Sequence, residues 1–573
     1  MEKLIALFTG LTPVYNGVFI GLFRYIFPVI TLFLLLRCAK PLLTFRKEPE
    51  IWAWLCLPDG KRMAVTHWES VIGRSKRSDI VLPLQTISRN HAVLTRYDDG
   101  SWTISDAGSK TGVKVNGKKV SISAVEPEDI IEIGGLRMYL EPITQQQEFK
   151  QSRLRHHGSD FPSSVINLLL LSFFQVLQCF GFLLTCKQPD MPSVLLGFGG
   201  VFLAQWLLFF FYLVIHRTSF EVETIAFFLC TLGVSVICTV KPSEAGKQLA
   251  AMLLGLILFL VVGWSLRDLE RAKVIRRLAA VAGIGFLVLT LLFGQEYYGA
   301  KNWLVIGGYS LQPSELSKVC FVFAGASTME RVMNKRNLIL FILYSALICG
   351  CLALMNDFGT ALIFFVAFLV IAFMRSGSVG TVALAIASLV FAGVVLLKIA
   401  PHALRRFEAW RHIWETPYDG GYQQTRAIMC LVSGGMLGLG TGQGWLKNLF
   451  AADTDVIFAV VAEEWGLFIA VMMVLFVIVL ALFAVRSAGV GRSSFYTIGS
   501  CTAAAILLMQ AILNVLGTVD VLFLTGVTFP FVSNGGSGMI ATWGLLAFIK
   551  GADTRQNASF AIKLPKKGRD EDE

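Results

Sequence analysis

The sequence predicts a polytopic α-helical membrane protein that carries one small all-β domain. Two observations predict the membrane part. Hydrophobic residues make up 55% of the 573 residues, and apolar runs of roughly twenty residues recur from residue 164 towards the C-terminus. A third observation predicts the β domain, because between residues 51 and 143 the apolar pattern changes to a period of two, which is typical of strands.

The basic residues and the cysteines fit this class. The formal net charge is +11, but Lys and Arg cluster in short loops between apolar runs, as the positive-inside rule expects of cytosolic loops. This distribution does not indicate nucleic-acid binding. The 11 cysteines lie mostly inside apolar runs and include no CxxC pair. We interpret them as core residues rather than as metal ligands or a disulfide framework.

The first predicted span lies within residues 1–40. Residues 14–36 are apolar apart from Asn16 and Arg24, and the basic residues that follow place the N-terminus outside and the next segment in the cytosol. A cleaved signal peptide is the alternative, but the start carries little charge and no A-x-A site follows. Arg24 would have to snorkel or pair inside the membrane.

Residues 51–143 are predicted to form a small antiparallel β-sandwich. Asp99-Gly100 and Asn116-Gly117 separate runs of alternating polarity, and Asn-Gly between such runs is the strongest short hairpin signal. Residues 144–163 are polar and unpatterned, and we interpret them as a linker.

Four ordered motifs cover this sandwich: Gly73-Arg74-Ser75, Ser88-Arg89-Asn90-His91, Asp106 to Gly112, and Val115-Asn116-Gly117. Their order and spacing resemble the forkhead-associated (FHA) domain, whose members bind phosphothreonine peptides through loops at one end of the sandwich. The resemblance implies that His91 braces these loops. The phosphopeptide-binding residues that it implies are Arg74, Ser88, Arg89, Thr111 and Asn116.

The FHA resemblance implies a phosphothreonine protein as a partner, and hence control by a Ser/Thr kinase. Arg74 suits phosphate because its planar fork donates charge-assisted hydrogen bonds. Thr111 departs from the family pattern, which usually has an Asn that holds the peptide backbone, so we expect a changed affinity or peptide preference. A sandwich that has lost its ligand is the alternative. Because kinases act in the cytosol, the resemblance places the module inside, in agreement with the first span.

Twelve apolar runs follow the linker. When they alternate across the bilayer, every strongly basic short loop falls on the cytosolic side, as does the tail 551–573. The polar motifs then collect on the outer side. The predicted runs are 164–186, 194–215, 221–240, 247–265, 278–297, 314–330, 338–354, 358–374, 379–399, 456–485, 495–518 and 530–549.

Ionisable residues at the outer boundary are the candidates for chemistry, because such residues are expensive in a membrane. Glu315 and Lys318 are one helical turn apart, and a mutually neutralising pair is the alternative interpretation. Asp357 stands at a tight outward turn, where a helix cap is the alternative. Asp453 and Asp455 precede an apolar run, where one could act as a general base or cap a helix.

Five ordered motifs on this outer side carry a second resemblance: N-W…Q-P-S-E-x-x-K, D-x-G-T-A, G-Y-Q…S-G-G-x-x-G-x-G, T-D-x-I-F-A-V-x-A-E-E-x-G and P-F-V-S-x-G-G-S. They resemble the SEDS family (shape, elongation, division and sporulation), whose members include RodA and FtsW, over residues 221–550. The resemblance implies a ten-helix core. The first span and the two helices in 164–215 are then about three additional spans.

The SEDS resemblance implies a peptidoglycan glycosyltransferase of the bacterial cytoplasmic membrane. Such an enzyme polymerises lipid II, an undecaprenyl-diphosphate-linked disaccharide peptide, into glycan strands at the outer face during elongation, division or sporulation. A class B penicillin-binding protein is the implied transpeptidase partner. A lipid II flippase and a non-catalytic cell-wall scaffold are the alternatives. A flippase would need its charges deep in the membrane, and a scaffold would not need Asp455.

The SEDS resemblance implies that Asp455 is the base that deprotonates the attacking sugar hydroxyl. Asp453 stands where the family motif has His, and Asn534 where it often has Tyr. The diphosphate charge could be neutralised by basic residues or by a divalent cation, Mg²⁺ or Mn²⁺, although no ligand spacing identifies a metal site. The predicted substrate-binding residues are Trp303, Glu315, Lys318, Asp357, Arg406, Gln423, Arg426, Ser433 and Ser533.

Overall fold

The structure is a computed structural model of the chain. It describes residues 13–44, 51–76, 78–97, 100–144, 146–147, 161–297, 300–307, 309–326, 335–376, 379–380, 382–388, 390, 407–408, 410–489, 493–553 and 555.

Long α-helices make up the membrane domain. They are α1 Pro13–Leu43, α2 Phe161–Thr185, α3 Met191–Val214, α4 Glu221–Val240, α5 Ala245–Leu266, α6 Leu269–Phe293, α7 Pro313–Gly325, α8 Lys335–Leu354, α9 Phe358–Ser376, α10 Tyr422–Gly434, α11 Ile457–Trp465, α12 Leu467–Ala488, α13 Ser494–Thr518 and α14 Gly536–Gly551. Within the described part of the chain, ten helices are long and apolar enough to cross a membrane: α1–α6, α8, α9, α12 and α13. The protein is thus a multi-pass membrane protein, as predicted.

Three predicted runs form shorter helices than expected. The run 456–485 breaks at Gly466, which has φ +92° and lies so close to a neighbouring loop that a Cβ would be 2.3 Å from the carbonyl oxygen of Met436. Only glycine fits there, so the run becomes α11 and α12. The runs 314–330 and 530–549 correspond to the shorter α7 and α14. The run 379–399 falls largely outside the described residues.

The β module is the predicted sandwich of two sheets. Its strands are β1 Ala53–Cys56, β2 Arg62–Val65, β3 Glu69–Gly73, β4 Ile80–Val81, β5 Ala92–Arg96, β6 Trp102–Asp106, β7 Val113–Val115, β8 Lys118–Val120, β9 Ile122–Val125, β10 Ile131–Ile133 and β11 Leu136–Pro142. The strand orders are β2-β1-β11-β10-β7-β8 and β4-β3-β5-β6-β9, and all of these pairings are antiparallel except β3 with β4. Asn116 and Gly117 join β7 to β8 with φ +50° and +77°, as a tight hairpin requires.

A buried amide network fastens the additional helices α2 and α3 to α4. Gln175 and Gln205 exchange two hydrogen bonds of 2.9 Å between their side chains. Gln175 also donates to Thr231 Oγ1 at 3.0 Å, and Gln205 donates to Ser172 Oγ at 3.0 Å. Polar side chains of this kind hold membrane helices together, because lipid offers them no other partner.

Buried ion pairs join the end of α14 to the start of α4. Lys550 Nζ lies 2.9 Å from Glu223 Oε2. Arg555 lies 3.5 Å from Glu221 Oε2 and 2.7 Å from Asp553 Oδ2. All five side chains are buried, so each charge needs its partner. These contacts fix the C-terminal end of the described chain against the helix bundle.

The β module contacts the membrane domain through one end of β3. Glu69 accepts hydrogen bonds from Ser493 Oγ at 2.8 Å and from the Ser494 backbone N–H at 3.1 Å. Ser493 is the N-cap residue of α13. At the same end of the sandwich, the ammonium of Lys273 in α6 lies 4.7 Å from the ring centroid of Tyr97. The module is therefore anchored where α13 begins.

We expect Glu69→Ala to release this anchor without unfolding the sandwich. Hydrogen bonds to a charged group contribute roughly 1.5–3 kcal/mol, so amide exchange at Ser494 should accelerate about tenfold or more. The measurement is hydrogen–deuterium exchange of the full chain in nanodiscs. Glu128→Ala, which changes an exposed carboxylate, is the matched control and should leave the exchange unchanged. Equal protection of Ser494 in both variants would contradict the anchoring role.

Candidate functional site

Asp455 lies in a turn between residues 451 and 456, immediately before α11. Its backbone N–H donates to the carbonyl oxygen of Ala451 at 2.9 Å, and its side chain is half-buried. The N-cap residue of α11 is Val456, whose side chain makes no capping hydrogen bond. The structure therefore does not place Asp453 or Asp455 at the N-cap position of α11, which was the alternative interpretation.

The buried side chain of Asn514 in α13 fixes this turn. Its Nδ2 lies 3.1 Å from the carbonyl oxygen of Asp455 and 2.9 Å from that of Val527. The same nitrogen lies 3.3 Å from the carbonyl oxygen of Thr454. A Cβ added at Gly526 would lie 3.5 Å from Asp455 Oδ2. The side-chain amide of Asn514 thus holds the turn and the loop 525–527 together, and the Asp455 carboxylate lies against that loop.

Asp357 approaches the same loop from another direction. Gly359, two residues later, packs so closely that a Cβ there would be 2.8 Å from Val527 Cγ2. The Asp357 carboxylate accepts hydrogen bonds from the Thr360 backbone N–H at 3.1 Å and from Gln312 Nε2 at 3.3 Å. It therefore caps α9, as the alternative interpretation held. Burial raises the pKa of Asp357, which the hydrogen bond from Thr360 opposes.

Glu315 and Lys318 form a buried pair in the first turns of α7. Lys318 Nζ lies 2.5 Å from Glu315 Oε1, so the two charges neutralise each other as the alternative proposed. Glu315 Oε2 has no hydrogen-bond partner among the described residues. It would lie 3.7 Å from a Cβ at Gly538. One carboxylate oxygen therefore faces the start of α14.

Trp303 lies on a small sheet that leads into α7. The three strands are β12 Gln295–Tyr297, β13 Ala300–Ile306 and β14 Tyr309–Leu311, in that spatial order. Trp303 is half-buried and pairs with Gln295. The last strand runs directly into Gln312, which bonds to Asp357. The sheet thus places Trp303 on the same side of the membrane domain as Asp357.

Ser533 and Gln423 hold backbone next to the turn. Ser533 Oγ donates to the carbonyl oxygen of Thr454 at 3.0 Å and accepts from the Phe529 N–H at 2.8 Å. Gln423 Nε2 donates to the carbonyl oxygen of Phe450 at 3.1 Å. Their polar groups are used to shape the loops on which Asp455 lies.

The other predicted substrate-binding residues that the structure describes, Arg426 and Ser433, make their hydrogen bonds to backbone outside the Asp455 turn. Arg426 donates to the carbonyl oxygen of Pro417 at 2.9 Å, and its guanidinium stacks 4.7 Å from the ring centroid of Tyr422. Ser433 is exposed and donates to a carbonyl oxygen of its own helix. Because its neighbour Gly434 packs on Ala462 near the end of α11, Ser433 lies at the opposite end of α11 from Asp455. Arg406 lies outside the described residues.

The loops at the other end of β3 bring four predicted phosphopeptide residues together. The Arg74 N–H donates to the Ser88 carbonyl oxygen at 3.0 Å, and Ser88 Oγ accepts the Lys110 N–H at 3.1 Å. Thr111 Oγ1 lies 3.5 Å from the carbonyl oxygen of Thr86. The side chains of Arg74 and Arg89 are exposed. This end of the sandwich therefore offers the guanidinium groups of Arg74 and Arg89 and the hydroxyl of Ser88 to an anion.

Buried His91 braces these loops. Its Nδ1 accepts the Ser88 N–H at 3.1 Å, so the ring proton is on Nε2, which lies 3.1 Å from the carbonyl oxygen of Gly112. The strand must also pass close to the loop, because a Cβ at Gly73 would be 2.1 Å from the Arg89 carbonyl oxygen. Both residues shape the site rather than contact a ligand.

Asn116 lies at the opposite end of β7 from Gly112 and Thr111. Its Nδ2 donates to Asp129 Oδ1 at 2.6 Å, and its Oδ1 accepts the Ile130 N–H at 3.0 Å. Hydrogen bonds from the Glu126 N–H and from Asn116 lower the pKa of Asp129. The structure thus places Asn116 in a hairpin support and does not bring it together with Arg74 and Ser88.

Sequence reasoning did not identify Glu463 and Glu464, which hold the loop before the Asp455 turn. Glu463 accepts the backbone N–H groups of Trp445 and Leu446 at 2.9 Å. Glu464 accepts those of Gly442 and Gly444, the latter at 2.8 Å. Two acidic residues inside an apolar run were a usable signal, since such residues need partners. Among the described residues no three His, Cys, Asp or Glu side chains are grouped to hold a metal ion.

Comparison with known proteins gives two family matches. The FtsW/RodA/SpoVE model, described as cell cycle protein, matches residues 239–558, and the FHA domain model matches residues 70–134.

Two curated relatives and one solved structure are similar to this chain. A protein from Wigglesworthia glossinidia brevipalpis named probable peptidoglycan glycosyltransferase FtsW is 28% identical over 52% of this chain and 80% of its own length. A Mycobacterium tuberculosis protein named peptidoglycan glycosyltransferase RodA is 27% identical over 54% and 70%. A chain from a solved peptidoglycan synthase complex is 23% identical, covers 58% of this chain and 96% of its own, and has a TM-score of 0.49. The chain belongs to the FtsW/RodA/SpoVE family and carries an FHA domain.

Proposed function

We propose that this protein is a peptidoglycan glycosyltransferase that polymerises lipid II into glycan strands. The observation that carries the proposal is the position of Asp455, half-buried on a turn that Asn514 and Ser533 hold against the loop 525–535. Relatives with glycosyltransferase names support the reaction class. Transport of lipid II and non-catalytic scaffolding are not favoured, since neither accounts for a carboxylate fixed in this way.

In the proposed reaction Asp455 accepts the proton of the attacking sugar hydroxyl. That oxygen forms a bond to the anomeric carbon of the second substrate, whose bond to the diphosphate oxygen breaks. The diphosphate leaves with the electron pair. Arg426 and Arg406 are the proposed cations for this charge, whereas Lys318 is already neutralised by Glu315. No step is assigned to Mg²⁺ or Mn²⁺.

The remaining predicted contacts keep the proposed role of binding the substrate or supporting the loops around Asp455. Trp303, Asp357 and Glu315 are grouped with the loop 525–538 by the packing of their own segments against it. Ser533 and Gln423 support the turn, and Ser433 would contact a different part of the substrate.

We place Asp455 on the outer side of the membrane, and the FHA domain and C-terminus in the cytosol. Asn514 is 20 residues beyond Ser494 on one helix, a rise of about 30 Å at 1.5 Å per residue, which matches the hydrocarbon thickness of a bilayer. Glu69 contacts Ser494, and the Asp455 turn contacts Asn514. The two sites are therefore at opposite ends of a span.

The proposed domain organisation keeps the boundaries predicted from the sequence. Residues 51–143 bind a phosphothreonine protein from a Ser/Thr kinase pathway and so regulate synthesis by residues 221–550. A class B penicillin-binding protein is the proposed transpeptidase partner.

Asp455→Asn tests the catalytic assignment, because it removes the base and keeps the shape of the side chain. We expect a loss of about 10²- to 10⁴-fold in polymerisation rate, the usual contribution of a general base. The measurement is glycan polymerisation from lipid II by the purified chain, alone and with a candidate class B penicillin-binding protein. The matched control is Asp419→Asn on an exposed loop, which should behave as wild type. Normal polymerisation by Asp455→Asn would overturn the assignment.

Arg74→Ala tests the phosphopeptide site. Binding of a degenerate phosphothreonine peptide library to the full chain should weaken by about 10- to 100-fold, since hydrogen bonds to charged groups contribute roughly 1.5–3 kcal/mol. Arg62→Ala removes an arginine that is 58% exposed and pairs with Glu141 elsewhere on the sandwich. It should leave binding unchanged. Equal binding by the two variants would place the phosphate elsewhere.

A further inference from the structure

Asp453, two residues before Asp455, forms an ion pair in which only the aspartate is buried. Lys241 Nζ lies 3.2 Å from one carboxylate oxygen of Asp453 and 3.4 Å from the other. The Asp453 side chain is 2% exposed, whereas that of Lys241 is 50% exposed. Lys241 is the C-cap residue of α4. The pair therefore ties the catalytic turn to the end of a membrane helix.

Asn534 bonds to the same aspartate twice. Its backbone N–H donates to the Asp453 carbonyl oxygen at 2.8 Å, and its Nδ2 donates to Asp453 Oδ2 at 2.8 Å. That nitrogen also lies 2.9 Å from Glu244 Oε2. Asp453 and Asn534 are two of the positions at which the sequence departs from the pattern of the SEDS resemblance. In the structure these two residues are hydrogen-bonded to each other.

We propose that Lys241, Asp453 and Asn534 position Asp455 for the proposed reaction, on which this inference rests. Asp453 is held through its side chain and its backbone by two different elements, α4 and the loop 529–535. Asp455 follows after one residue, so a shift of Asp453 moves the base. A misplacement of about 1 Å is enough to cost on the order of 100-fold in rate.

The difference in burial between Asp453 and Lys241 predicts that the two residues respond differently to substitution. Removing Lys241 leaves a charged carboxylate buried beside one amide, which is strongly unfavourable. Removing the charge of Asp453 leaves Lys241 half-exposed, where water solvates it. The variant Lys241→Met should therefore be worse than Asp453→Asn, and the double variant should be no worse than Asp453→Asn.

The experiment measures kcat and KM for lipid II polymerisation, with the melting temperature, for the full chain in nanodiscs. We expect Lys241→Met to lower kcat by about 10- to 100-fold with KM changed by less than about twofold. Lys241→Arg should restore kcat. Lys247→Met is the matched control, since Lys247 is 63% exposed and 3.9 Å from Glu244, and such exposed pairs contribute little.

Amide exchange at Thr454 and Asp455 is the second readout, and it does not depend on catalysis. Both N–H groups donate to the Ala451 carbonyl oxygen, and their exchange should accelerate in Lys241→Met but not in Lys247→Met. If Lys241→Met does not fold, the double variant Lys241→Met/Asp453→Asn is compared with Asp453→Asn instead. The double variant should then be no worse than Asp453→Asn in kcat or in exchange at the turn.

Three results would overturn the inference: wild-type kcat in Lys241→Met, multiplicative effects of Lys241→Met and Asp453→Asn, or unchanged exchange at the turn. Failure of the proposed function has a different signature, because Asp455→Asn would then polymerise like wild type or wild type would not polymerise. In either case the exchange result still decides whether the pair fixes the turn.

Discussion

Backbone that leaves the helix inside a membrane domain needs hydrogen-bond partners from the protein or from water, because lipid offers none. The segments around Asp455 are irregular over two stretches, 440–456 and 525–535. A few buried polar side chains supply the missing partners. Asn514 holds the carbonyl oxygens of Asp455 and Val527, and Glu463 and Glu464 hold four backbone N–H groups. This requirement explains why polar residues concentrate at the site.

The same constraint links the site to chemistry. A base must be accessible to substrate and still be fixed in direction, and Asp455 is half-buried on a turn fixed at several points. Two carboxylates of the site have a cationic partner, because Glu315 pairs with Lys318 and Asp453 pairs with Lys241. The base proposed at Asp455 thus follows an aspartate whose charge already has a partner.

Local features were predictable from the sequence, and long-range features were not. The period of two predicted the sandwich, hydropathy predicted the spans, and the i,i+3 spacing predicted the Glu315–Lys318 pair as one of two alternatives. The break at Gly466 was not predicted, because it follows from a positive φ and from the close approach of the Met436 and Leu437 backbone, neither of which a hydropathy pattern shows. The Lys241–Asp453 pair joins residues 212 positions apart, which no spacing rule finds.

The predicted site residues illustrate the same limit. The sequence order of the motifs could not tell that Asn116 lies away from Arg74 and Ser88, or that Ser433 and Asp455 lie at opposite ends of α11.

The attachment of the FHA domain through Glu69 is separated from its predicted phosphopeptide loops by the length of one strand. Glu69 and Arg74 stand at opposite ends of β3, a five-residue strand that spans about 17 Å at 3.3 Å per residue. The phosphate loops are thus at the end of the sandwich away from the anchor on α13. We therefore expect the proposed phosphothreonine partner to bind without displacing the contact between Glu69 and Ser494.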